Sequence, residues 1–219
     1  MEPEKRMSFL DHLEELRWRI VKSAIVILVF AIGIWIFKGW IMENVFISMS
    51  SPQFPTFRLM CLAFGICIED IAIDYQNIEL TGQFSYAIMM SIMGGFVIAF
   101  PYIFYQVWSF VKPGLKANEK SISKGIVFYI SILFFMGIAF GYLVVAPLCV
   151  QFFGNFQIVT EIENNIKLSS FMGTVLSTIF YTGLLFLLPV VSYLFTKLGV
   201  MSADFLKKYR KHAIIGILI

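Results

Sequence analysis

The sequence predicts an all-α, polytopic helix bundle embedded in a lipid bilayer, and three observations carry that reading. Apolar residues fill 59% of the 219 positions and charged residues only 14%, about half the charged share of a soluble domain. Mean hydropathy is +0.82, too high for a globule of this size to stay in water. Four separate stretches are long and apolar enough to cross a membrane, which takes about 20 residues of helix.

The first element is polar on several faces. Ser8 can cap a helix, with Asp11 in the first turn. Phe9, Leu13, Leu16 and Ile20 then recur at helical spacing, and Asp11, Glu14, Glu15, Arg17 and Arg19 share the other faces. Residues 8–20 are therefore expected to form an amphipathic helix at the cytoplasmic membrane surface that leads into the first span. A plain juxtamembrane anchor would explain the same pattern. No apolar core precedes Ile20, so this is not a cleavable signal peptide.

The spans are expected at about 20–41, 84–111, 125–153 and 168–195, and the second holds no charge. A fifth apolar run begins at about 213 (AIIGILI) and the sequence ends after it. Those residues reach only about 10 Å, a third of the hydrocarbon core, so the expectation is one membrane domain over 1–219, truncated at its C-terminus. Pro101, Pro147 and Pro189 lie within the second, third and fourth spans. Each removes a backbone donor and can kink its helix, although prolines are common in membrane helices anyway. Gly94, Gly95, Gly137 and Gly141 permit close helix contacts, the last two as a small-xxx-small pair.

Orientation follows from the cations. Lys5, Arg6, Arg17, Arg19 and Lys22 surround the first helix. Lys112, Lys116, Lys120 and Lys124 fill the second inter-span loop, and Lys197, Lys207, Lys208, Arg210 and Lys211 follow the fourth span. The opposite side holds only Lys38, Arg58 and Lys167. The N-terminus is thus expected in the cytoplasm.

Several function classes fall away. No Lys/Arg run interleaves with aromatics, which argues against a nucleic-acid partner. There is no G-x-S-x-G, H-E-x-x-H or Walker A pattern, and the two histidines, His12 and His212, both fall at the cytoplasmic surface. No catalytic residue, metal site or cofactor is expected. Cys61, Cys67 and Cys149 have no metal spacing. Cys61 and Cys67 share an outer loop, where they could form a disulfide or remain two unpaired thiols. None of the spans carries an ionisable residue near its midpoint, which weighs against an ion-coupled carrier of small solutes.

What remains is a basic cytoplasmic face with a few acids. Glu119 is the only acid in FVKPGLKANEK, and Glu14 and Glu15 lie on the first helix. A carboxylate pairs with an arginine fork through two parallel hydrogen bonds, which lysine cannot reproduce. Two such carboxylates on different elements could read two adjacent arginines. An assembly subunit that reads no signal is the rival, and in it these acids would be bystanders.

Four segments resemble a known family. HLEELRWRI (12–20), PYIFYQVWSFVKPGLKANEK (101–120), FGYLVVAPL (140–148) and LLPVVSYLFTKLGV (187–200) are similar, in order, to TatC, the multispanning receptor subunit of the twin-arginine protein translocase. The outer loop over 46–76 carries little of the likeness. The resemblance implies a six-span, glove-like bundle in the bacterial inner membrane with both termini cytoplasmic. It implies binding of S-R-R-x-F-L-K signal peptides, partnership with single-span TatA and TatB subunits, several copies per complex, and transport of folded proteins on the proton-motive force. By position, Glu119 matches the glutamate that reads the arginines and Glu15 the one that assists it, with Arg17 beside them and less weight on Glu14. Phe110, Pro113 and Leu115 match the loop that shapes the binding surface. Tyr142, Pro147, Leu187 and Pro189 match positions expected to contact partner subunits. Leu187 departs from the family, which often has Glu or Gln there, so a polar contact would have to come from Thr178 or Thr182.

Overall fold

A computed structural model describes residues 9–65, 75–111, 125–156 and 166–197. It is all-α apart from one two-residue strand pair. Among the described residues, four helices are long and apolar enough to cross a membrane: Leu13–Ile36, Gly82–Val111, Ile126–Asn155 and Leu168–Tyr193.

Helix α1 spans Phe9–Ile36 without interruption, so the amphipathic segment and the first apolar run form one continuous rod. Ser8 lies outside the described residues. The chain breaks briefly at Phe37, resumes as the short α2 (Lys38–Ile41), widens through a π-helical turn (Met42–Phe46) and then tightens through a 3₁₀ turn (Ile47–Ser50). Helix α3 (Pro55–Phe64) starts with proline at its first position, where a missing N–H costs nothing. It ends at Gly65, whose φ of 68° is the left-handed cap that glycine adopts without strain.

Helix α4 (Gly82–Val111) and helix α7 (Leu168–Lys197) run unbroken through Pro101 and Pro189. The third spanning unit is divided instead. Helix α5 (Ile126–Phe140) passes through a π-helical turn (Gly141–Val145) into α6 (Ala146–Asn155), with Pro147 in the first turn of α6. Strand β1 (Tyr75–Gln76) pairs in parallel with β2 (Ile166–Lys167), tying the segment before α4 to the start of α7.

Packing is pairwise: α1 lies along α4, and α5 lies along α7, with α4 joining the two pairs. Glycine sets both close crossings. A Cβ on Gly95 would sit 2.8 Å from the Ala31 nitrogen and the Ile27 carbonyl oxygen of α1. One on Gly137 would sit 3.0 Å from the Gly183 Cα of α7, and one on Gly141 would sit 3.1 Å from the Ile179 Cα. The small-xxx-small pair thus faces α7, where small residues let backbones approach.

Two cores result. One gathers Phe100, Ile130, Phe134 and Leu187 between α4, α5 and α7, with the Phe100 and Phe134 rings stacked at 3.7 Å. The other gathers Phe46, Met49, Phe54 and Phe57 beneath Ala146, Val150, Met172 and Val175, and so seats the segment after α1 onto the ends of α6 and α7. Most of α1 faces outward: Ile25, Leu28, Val29 and Ile32 are exposed and Ala31 is buried. For a soluble protein this would be an aggregation surface; in a bilayer it is the lipid-facing side.

Candidate functional site

Glu15 and Arg19 stand one turn apart on α1, so their side chains share a face. The Arg19 guanidinium donates from Nε (3.0 Å) and Nη2 (2.5 Å) to the same Glu15 oxygen, Oε1. Its Nη1 turns the other way, donating to the Gln106 side-chain oxygen at 3.1 Å and to the Gln106 carbonyl at 3.4 Å. Gln106 is buried in α4. A single arginine therefore links an acid on the first helix to a buried amide on the fourth, which only a planar, many-donor head can do.

The ion pair is partly exposed, with side chains 22% and 28% accessible for Arg19 and Glu15. Because both donors converge on Oε1, the second oxygen, Oε2, accepts no hydrogen bond among the described residues. The Arg19 backbone is in turn used by Ser23, whose Oγ donates to the Arg19 carbonyl at 2.9 Å. Glu14 and Arg17 are exposed and make no ion pair among the described residues.

Phe110 is half-buried near the end of α4. Glu119, Pro113 and Leu115 lie outside the described residues. The four positions expected to meet partner subunits have different surroundings. Tyr142 is half-buried; its hydroxyl donates to the Val45 carbonyl at 3.0 Å and its ring meets Phe54 edge-on at 5.6 Å. It thereby joins the two π-helical turns. Pro147 is fully buried and Leu187 is buried against Phe100, Ile130 and Phe134, whereas Pro189 is exposed. The Thr182 hydroxyl is used within α7, donating to the Thr178 carbonyl at 2.7 Å.

Cys61 is disulfide-bonded and Cys149 is a free thiol; Cys67 lies outside the described residues. Among the described residues, no cluster of His, Cys, Asp and Glu could hold a metal ion.

Sequence reasoning placed Glu15 but missed its partners. Arg17 is exposed, and it is the Arg19 guanidinium that reaches Glu15. The Glu-to-Arg spacing of one helical turn was the available signal. Gln106, far away in the chain, had none.

Comparison with known proteins fits this architecture. Residues 11–219 match the family model of the Sec-independent protein translocase protein TatC. A TatC of Blattabacterium from Periplaneta americana is 33% identical over 97% of this chain and 83% of its own length. A TatC of Halalkalibacterium halodurans is 30% identical over 99% of this chain and 78% of its own. A crystal structure of the twin-arginine translocase receptor TatC, in the detergent DDM, superimposes with a TM-score of 0.73 at 25% identity, covering 93% of this chain and 84% of that one. Matched along nearly its whole length in both sequence and fold, this multi-pass membrane protein belongs to the TatC family of Sec-independent protein translocase proteins, with a role in protein transport.

Proposed function

We propose that the chain is a receptor for twin-arginine signal peptides, acting with TatA- and TatB-type single-span subunits to move folded proteins across the bacterial inner membrane on the proton-motive force. The face carrying the start of α1 is cytoplasmic in this reading, in line with the cation distribution, and several copies assemble in the complex.

The observation that carries it is the Glu15 carboxylate. It already holds a guanidinium fork through Oε1, is partly exposed, and accepts no hydrogen bond at Oε2 among the described residues. A signal arginine reaching this face meets an acceptor of the matching chemistry. Glu119, between α4 and α5 in the sequence, supplies the second carboxylate, and Phe110, Pro113, Leu115 and Arg17 shape the surface around the peptide. Each charged hydrogen bond of Glu15 to such a guanidinium is worth roughly 1.5–3 kcal/mol when shielded, less here because the group is partly open to water. Tyr142, Pro147, Leu187 and Pro189 frame the region where partner subunits dock; of these, the exposed Pro189 can touch a partner directly. The name of the solved relative, a twin-arginine translocase receptor, supports the same assignment.

The test is binding of the purified protein in detergent to a twin-arginine peptide and to its Lys-Lys counterpart. Tight binding of the first and loss with the second is expected, and Glu15→Gln or Glu119→Ala weakens the first. Equal binding of both peptides would overturn the reading.

A further inference from the structure

The contact around Glu15 is asymmetric in a way that a surface ion pair does not require. A free Arg–Glu pair settles fork to fork, one nitrogen on each oxygen. Here Nε and Nη2 both donate to Oε1, while Nη1 donates to the buried Gln106 side-chain oxygen and carbonyl. The buried amide fixes the guanidinium, and the guanidinium fixes the carboxylate.

We infer that Arg19, anchored on Gln106, is a positioning residue that holds Glu15 with Oε2 presented to the incoming signal arginine. This rests on the proposed function and adds how the acid is set. A glutamate on an exposed helix face samples several rotamers, and ordering it on binding takes affinity away from the complex. Arg19 imposes that order beforehand. It also limits Glu15 to one open oxygen, so the signal guanidinium docks on Oε2 while Arg19 stays in place.

The opposite effect is also physical: Arg19 is a like charge to the incoming arginine and a rival for the carboxylate. The two effects differ in sign. If rivalry dominated, Arg19→Gln would tighten peptide binding and Arg19→Lys, which keeps the charge, would leave it unchanged. Positioning predicts that both weaken it, because neither side chain can span Glu15 and Gln106 with a fork.

The experiment measures Kd of the full chain for the Arg-Arg peptide in parent, Arg19→Lys, Arg19→Gln, Gln106→Met and Glu15→Gln forms, then repeats the Arg19 changes in the Glu15→Gln background. Losing one preset side chain corresponds to about two- to tenfold in Kd, so Arg19→Lys and Arg19→Gln should each weaken binding by that range and Gln106→Met by less. In the Glu15→Gln background the Arg19 changes should add nothing, because the residue acts through Glu15. An equal loss in that background would overturn the inference and assign Arg19 to the fold or to the peptide directly. Tightening by Arg19→Gln would overturn it in favour of rivalry. If Glu15→Gln binds as the parent does, the receptor reading of Glu15 fails and the inference falls with it. Should the Arg19 variants not survive purification, Gln106→Met, which keeps both charges on α1, carries the same test.

Discussion

Thr56 donates its hydroxyl to the Leu143 carbonyl, across from α3 to the π-helical turn that precedes α6. The contact has a cause in the sequence. In α-helical register the Leu143 carbonyl would accept from residue 147, and that residue is proline. Inside a bilayer a freed carbonyl has no water to turn to, and a threonine hydroxyl is one of the usual substitutes. Thr56→Val should therefore destabilise the protein by about 1–2 kcal/mol, seen as a lower unfolding temperature in detergent, while Thr56→Ser keeps most of the stability. Equal stability of the Val and Ser variants would mean that the carbonyl finds another donor.

Neighbouring glycines should respond differently to the same change. A methyl group on Gly95 runs into α1 backbone atoms at 2.8 Å, which cannot move aside without separating α1 from α4. One on Gly94 meets the Ile34 Cδ1 at 2.6 Å, the far end of a side chain that can change rotamer. Gly95→Ala should cost about 1–3 kcal/mol, as overpacking does, and Gly94→Ala much less. Comparable unfolding temperatures for the two variants would show that the α1–α4 crossing is not set by Gly95.

These two contacts mark how far the sequence could be read. The all-α class and the membrane setting follow from runs of apolar residues, because a spanning helix satisfies its own backbone and needs only length and hydropathy. The glycines could be named as close-contact positions, but which helix each one meets depends on how the rods cross. The carbonyl that Pro147 frees was legible, and the donor from α3 was not. At the candidate site the same division holds. Glu15 stood out as an acid on a basic face, while the tie through Arg19 to Gln106 joins α1 to α4 and leaves no local pattern in the chain.

The surroundings of Leu187 give a physical reason for an apolar side chain at this position. It is buried among Phe100, Ile130 and Phe134, which offer no hydrogen-bonding group. Leu187→Gln should place an unpaired amide in that cluster and lower stability by about 1–3 kcal/mol. Leu187→Met, similar in volume, should cost under about 1.5 kcal/mol. A Gln variant as stable as the parent would indicate that α7 turns this position toward a polar partner.

Tyr75 gives the pH dependence a defined direction. It lies in β1, outside the spans, with its hydroxyl bonded to Ser50 and its ring 4.8 Å from Phe171. Burial pushes its pKa above the usual tyrosine value of 10.0, and the Ser50 bond offsets part of that rise. The neutral phenol is thus favoured more in the folded state than in the unfolded one. The stability this contributes is complete below the unfolded pKa, about 10, and is lost as pH climbs from there through the higher folded value. The unfolding temperature should therefore fall across this alkaline range, and more steeply in the parent than in Tyr75→Phe, which has no proton to lose. Lysines and other tyrosines titrate in both proteins, so the difference between the two curves isolates Tyr75. Parallel curves from pH 8 to about 11 would mean that ionised Tyr75 reaches water without disturbing the β1–β2 tie.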